Sequence, residues 1–254
     1  MLFGYDEKTR IFQRLIRENK LGQAYLFYGD RGVGKGTFAR LLARALESGS
    51  FKDATGPLVD AFFVERGEEK ETLGIDKVLE VRKFLWQKPF RSPRRLAVMD
   101  NAEELTPEAQ GALLKIVEEP PEHALMIFIA HDPQVFMPPL LSRLAKVYFS
   151  RLPKKEVAGI LREKYGESEK KAQEIAAVSF GRIGYALKLL ESEPKAEEGT
   201  GEFIEKKILE LRRKNLKKNA PLLLWLLERE ALVKRYNLNM NLQRRATEQQ
   251  LTNN

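Results

Sequence analysis

The chain alternates short apolar runs with segments in which apolar residues return every three or four positions. The runs at 24–28, 61–64, 96–99, 125–130 and 146–149 are four to six residues long and dominated by aliphatic and aromatic residues, which predicts strands. Between them, helical spacing predicts helices over 8–18, 34–47, 75–86 and 106–118. In the first of these, Ile11, Phe12, Leu15 and Ile16 fall on one side. Thr106 followed by Pro107 reads as an N-cap and first helical position, and Pro120-Pro121 stops that helix. Strand–helix alternation of this kind predicts an α/β core with a parallel sheet and helices on both faces.

From Pro153 onward the pattern turns wholly helical, with helices expected over 154–164, 167–178 and about 184–191. The polar stretch 192–200 reads as a linker. Beyond it, basic helices are expected near 202–214 and 222–236, with a polar end after Asn239. The run from Leu222 to Leu227 is too short to span a bilayer and is expected to be a buried packing face. The expected organisation is therefore a nucleotide-binding core over 1–152, a helical lid over 153–195 and a reduced all-helical region over 200–254.

The candidate chemistry sits at two strand ends. After the strand at 24–28 comes Gly29-Asp30-Arg31-Gly32-Val33-Gly34-Lys35, a G-x-x-x-x-G-K phosphate loop placed between a strand and a helix. In such a loop the glycines let backbone N–H groups curl around phosphate oxygens, and the helix N-terminus favours negative charge. Lys35 would reach the β- and γ-phosphates. The hydroxyl residue that usually follows the lysine and binds Mg²⁺ is replaced by Gly36, with Thr37 next. Nucleotide binding is compatible with that change, but metal coordination is weakened. Asp100 ends the strand at 96–99 and fits a Mg²⁺-side aspartate, although a turn-capping Asp at a strand end has the same appearance. Asn101 occupies the place of the glutamate that would activate water, and an amide cannot take a proton from water at neutral pH. ATP with Mg²⁺ is thus expected to be held with little or no turnover.

Composition narrows the field. Hydrophobic content of 43% and charged content of 31% describe an ordinary globular protein. There is no cysteine, which excludes disulfides and thiolate metal sites, and two histidines make a histidine metal centre a poor prospect. No metal site of the protein's own is assigned. The first residues lack a basic stretch followed by an apolar one, so a cytoplasmic location and no membrane partner are expected. Of the net charge of +8, residues 201–254 contribute +6, from twelve Lys and Arg against six Glu. That basic tail suits phosphate backbones or an acidic protein as well as it suits a solvated helix face.

The segment from Leu96 to Arg143 carries a family resemblance. Ala112-Leu113-Leu114-Lys115 with Glu118-Glu119-Pro120-Pro121, then Asp132-Pro133 and Leu141-Ser142-Arg143, resemble the clamp-loader branch of the AAA+ ATPases. Gly22 to Phe27 before the phosphate loop and Gly74 to Val78 are similar to the same family. The segment closely resembles the delta-prime type of subunit of the bacterial DNA polymerase III clamp loader. The resemblance implies an AAA+ P-loop core followed by a small helical lid and a helical collar. It also implies that Arg143 acts as an arginine finger in trans, stabilising a γ-phosphate held by an adjacent tau/gamma motor subunit. The implied partners are those motor subunits, the delta subunit, the sliding clamp and primed DNA, the last held weakly and without sequence preference.

The chain also departs from the family. The cysteines of the motor subunits' zinc module are absent, so no zinc is expected. Ser142-Arg143-Leu144 keeps the finger arginine but lacks the cysteine that follows it in the family. The sensor-1 position falls at Ala130 or His131. The sensor-2 arginine aligns with Gly184, while Arg182 lies two residues earlier and receives no catalytic role. Three other readings compete with a non-hydrolysing stator. One is an active motor subunit, which would need the missing glutamate and hydroxyl. The second is a nucleoside-monophosphate kinase, suggested only by Gly34-Lys35-Gly36-Thr37. The third is a DNA-binding module using the basic tail.

Overall fold

The structure, a computed structural model, describes residues 3–51, 56–64, 72–191, 208 and 220–229. Five parallel strands, β1 (Ala24–Tyr28), β2 (Ala61–Val64), β3 (Arg95–Met99), β4 (Ala124–Ala130) and β5 (Ala145–Tyr148), form one sheet in the order β2-β3-β4-β1-β5. The three central strands are buried on both faces because helices cover both. Alternation along each strand sends successive side chains to opposite sides. Leu26, Ala97, Met99, Met126 and Phe128 pack with α3 (Ile75–Leu85) and α4 (Pro107–Glu118). Phe27, Leu96, Val98, Leu125 and Ile127 pack with α1 (Asp6–Arg17) and α2 (Lys35–Ser48). Register brings Leu26 beside Phe128 and Tyr28 beside Ala130, so the C-terminal ends of β1, β3 and β4 lie along one edge. Phe38 of α2 is the hub of the second face, with the rings of Phe12, Phe27 and Phe149 between 5.4 and 5.7 Å away.

At the opposite edge Asp60 fixes the turn that precedes β3. Its carboxylate accepts N–H bonds from Phe90 (2.8 Å), Arg91 (2.5 Å) and Ser92 (2.8 Å) and pairs with Arg95 at 2.8 Å. Burial alone would push this acid up. The three N–H donors and the guanidinium outweigh it and hold the carboxyl below its ordinary range.

Three helices follow the sheet: α6 (Lys154–Tyr165), α7 (Glu169–Ser179) and α8 (Ile183–Glu191), and Ser168 caps α7 by accepting from the Lys171 N–H. By internal contacts the chain divides into one unit over Met1–Leu187 and a second over Lys188–Asn254. In the second unit, residues 220–229 are helical. Leu226 is fully buried there against Ile208, but Leu224 is 62% exposed. The run from Leu222 to Leu227 is therefore not a buried face as a whole, since neighbours on a helix point about 100° apart and cannot all turn inward. The remaining expectations for 192–207, 209–219 and 230–254 lie outside the described residues.

Three short elements lie outside the expected helices and strands, one of them a 3-10 turn over Pro133–Val135. α5 (Pro138–Leu141) is a single turn started by Pro138-Pro139, and Ala102–Glu104 is a 3-10 turn after β3. Among the described residues no helix is long and apolar enough to cross a membrane.

Candidate functional site

β1 delivers the phosphate loop to the C-terminal edge of the sheet. Gly29 turns there with φ of 135°, and a Cβ at this position would lie 2.3 Å from the Phe149 carbonyl oxygen of the neighbouring segment. Gly34 is the N-cap of α2 in the left-handed region (φ 107°), where glycine is adopted at least cost. Gly32 lies between them with φ of 77°. Lys35, the first residue of α2, is 7% exposed and folds back under the loop, its Nζ donating to the Gly29 carbonyl at 2.6 Å and the Asp30 carbonyl at 2.8 Å. Burial pulls its pKa from 10.5 down to about 8, against the opposing pull of Glu103, Asp100 and Asp30.

Gly36 faces Asp100: a Cβ at Gly36 would sit 3.3 Å from Asp100 Oδ2. The fold thus joins the end of β3 to the start of α2, and glycine stands where a hydroxyl would meet the metal-side carboxylate. Asn101 follows in the left-handed region (φ 54°, ψ 46°), which Asn tolerates better than most residues, and donates its backbone N–H to Asp100 Oδ1 at 2.9 Å. Thr37 turns to a different neighbourhood. With Phe3, Val33, Gly34, Ile183, Gly184 and Leu187 it lines a cavity of about 40 Å³. That is room for about one water. The glycine cradle, Lys35 and the α2 N-terminus fit a phosphate chain. For Mg²⁺, Asp100 is in place but the residue after the lysine contributes no ligand.

A second layer of charge surrounds the loop beyond the sequence motifs. Glu103 Oε1 accepts from Arg31 of the loop and from His131 Nδ1 at the end of β4, both at 2.9 Å. Its other oxygen is buried without a partner. Burial pushes Glu103 up, but hydrogen bonds from its own backbone N–H, Arg31 and His131 bring it below its ordinary range. Asp30 pairs with Arg151 at 2.6 Å, and the hydrogen bond from that arginine lowers the acid's pKa. The available signals were a glutamate three residues after Asp100 and a histidine directly after β4.

The start of α8 rests on the loop itself. The Gly184 N–H donates to the Gly32 carbonyl at 2.7 Å, and a Cβ at Gly184 would stand 2.9 Å from that oxygen. An arginine at position 184 would displace this contact. Arg182 instead lays its guanidinium over the Tyr185 ring, 4.8 Å from the centroid.

Arg143 belongs to a different place. It follows α5, and its guanidinium donates to the Pro139 carbonyl at 2.8 Å and pairs with Glu118 of α4 at 2.6 Å. Its side chain is 41% exposed. The phosphate-loop glycines, Lys35, Gly36 and Asp100 are brought together; Arg143 has no bond to any of them.

Comparison with known proteins gives the frame. A family model described as DNA polymerase III, delta subunit, matches residues 4–153. The tau subunit of DNA polymerase III from Escherichia coli (strain K12) is 32% identical over 185 residues, covering 67% of this chain and 29% of that one. The Bacillus subtilis (strain 168) tau subunit is 26% identical over 206 residues, 74% of this chain and 36% of its own. The chain spans about a quarter of the length of the first curated relatives it matches, the gamma/tau subunits of Mycoplasma pneumoniae and Mycobacterium bovis. Among solved structures, a gamma subunit-related protein of DNA polymerase III from Thermotoga maritima superposes with a TM-score of 0.57 at 21% identity, covering 92% of this chain and 95% of that one. RuvB from Thermotoga maritima gives a TM-score of 0.55 at 14% identity over 75% of this chain and 62% of its own. At such identities the two structures speak for the fold alone, an AAA+-like α/β core.

Proposed function

The chain belongs to the DNA polymerase III delta-subunit family, and from that membership we propose that it serves as a stator of the delta-prime type in a clamp loader for DNA replication. In this reading it sits beside a tau/gamma motor subunit and a delta subunit. It presents Arg143 to the γ-phosphate in the motor's site while a sliding clamp is placed on primed DNA. The observation that carries the reading is Arg143 itself: a half-exposed guanidinium at a surface turn, bonded to nothing in its own phosphate loop. Asn101 supports it from the other side, because the chain's own site has an amide where water would be activated. The phosphate loop then holds ATP with Mg²⁺ with little or no turnover, and contact with DNA is weak and non-specific.

Reconstitution with motor subunits tests the proposal. Arg143→Ala should assemble normally yet lower DNA-dependent ATP hydrolysis on the order of a hundredfold or more, the scale at which fingers in trans act. An unchanged rate would overturn it. A motor-type reading stands second, favoured by the gamma/tau identity of the curated relatives. It requires ATP turnover by the isolated chain that Lys35→Ala abolishes. The kinase reading is tested by phosphate transfer from ATP to AMP.

A further inference from the structure

We infer that Glu118 is the positioning residue for Arg143, holding the finger in its working orientation before a neighbour's nucleotide arrives; this rests on the stator reading above. Glu118 is the last residue of α4, and Pro120 and Pro121 end the helix immediately beyond it. Its Oε1 lies 2.6 Å from one terminal nitrogen of Arg143. The other terminal nitrogen is held by the Pro139 carbonyl at 2.8 Å, with Ser142 Oγ at 3.4 Å. Ser142 Oγ in turn donates to the same Pro139 carbonyl at 2.9 Å, and the Arg143 N–H bonds the Leu140 carbonyl at 3.1 Å. The guanidinium is therefore fixed at both ends, between the negative C-terminal end of α4 and the single turn of α5.

A guanidinium has five N–H donors in a rigid fork. Glu118, Pro139 and Ser142 engage only the two terminal nitrogens, leaving further N–H bonds for phosphate oxygens. With side chains 41% and 40% exposed, the pair adds little to folding stability. Its effect lies in orientation. A long arginine side chain loses much rotamer freedom when it docks, and a finger held in advance loses less at the moment of catalysis. The sequence pattern Glu-Glu-Pro-Pro acquires a physical use here, because prolines starting two residues on end α4 at a carboxylate that meets the finger.

The test is a double-mutant cycle in the reconstituted complex, read by DNA-dependent ATPase. Glu118→Ala should lower kcat roughly tenfold with KM for ATP unchanged. Glu118→Gln, which keeps a hydrogen bond but loses the charge, should fall in between. In an Arg143→Ala background, Glu118→Ala should have no further effect, while thermal melting stays level in every variant. Equal losses in both backgrounds would mean a structural role and overturn the inference. So would a silent Glu118→Ala beside a damaging Arg143→Ala, which leaves the stator reading standing. A silent Arg143→Ala overturns that reading and this one with it.

Discussion

Lys35 makes a quantitative prediction about nucleotide binding. Its ammonium is buried against two carbonyls of its own loop, and burial brings its pKa down to about 8. At pH 7 about nine in ten free molecules then carry the charge, and at pH 9 about one in ten. A bound phosphate chain favours the charged form and returns the pKa above this window. Binding above pH 8 must therefore take up a proton, so affinity falls as pH rises. Between pH 7 and 9 the loss should be about tenfold, or about 1.4 kcal/mol. The measurement is calorimetric titration with ADP across that range, repeated in two buffers of different ionisation enthalpy to count the protons. Lys35→Met should bind weakly, with a flat profile and no proton uptake. Tyr5, whose hydroxyl donates to the Val33 carbonyl in the same loop, is pushed far up by burial and does not titrate in the window. A wild-type profile that is flat from pH 7 to 9, or an inflection that survives in Lys35→Met, would refute the reasoning.

Asp60→Asn removes the carboxylate opposite Arg95 and leaves a buried guanidinium uncompensated, which costs about 3–5 kcal/mol. Thermal melting should fall on the order of 10 °C. Because the Asp60 carboxyl is held below its ordinary range, its contribution is present at neutral pH and is lost as pH falls through the folded-state value, so the variant should also show a flatter acid limb. Gly36→Ser places a hydroxyl next to Asp100, whose Oδ2 needs to yield only slightly to a Cβ at 3.3 Å. The wild type should bind ADP with nearly the same affinity with and without Mg²⁺, whereas Gly36→Ser should gain about tenfold from the metal in the same titration. Equal Mg²⁺ dependence in both proteins would count against the role given to Gly36.

The parts legible in the sequence are those set by neighbours in the chain. β1 and β2 match the expected 24–28 and 61–64, because short apolar runs bounded by turn residues have few alternatives in a buried parallel sheet. The phosphate loop is local too: seven consecutive residues define its shape. What could not be read depends on distant partners. Arg31 and Glu103 are 72 residues apart, and Glu103 and His131 are 28 apart, and they meet because β3, β4 and β1 run side by side. The Glu118–Arg143 pair needs the single turn of α5, which two prolines start and which is too short to show periodicity. The run from Leu222 to Leu227 is apolar throughout, but helical phase turns Leu226 inward and Leu224 outward.

The cost of Lys35 bears on whether the loop is idle. Its folded-state pKa lies below the unfolded value of 10.5, so the folded protein binds this proton less tightly than the unfolded chain. At pH 7 that opposes folding by roughly 3 kcal/mol, relieved as pH rises from 8 to 10.5 and offset in part by the bonds to Gly29 and Asp30. An apolar side chain would fill the same space without that burden. In the proposed reading, that buried cation serves the charge of a phosphate. In the same reading Asn101 removes turnover without removing binding. Gly184 of α8 bonds directly to Gly32 of the loop, so a phosphate that shifted the Gly32 carbonyl would also shift the start of α8. Under that reading, binding without hydrolysis would still act on the start of α8, and the nucleotide would be a structural ligand rather than a fuel.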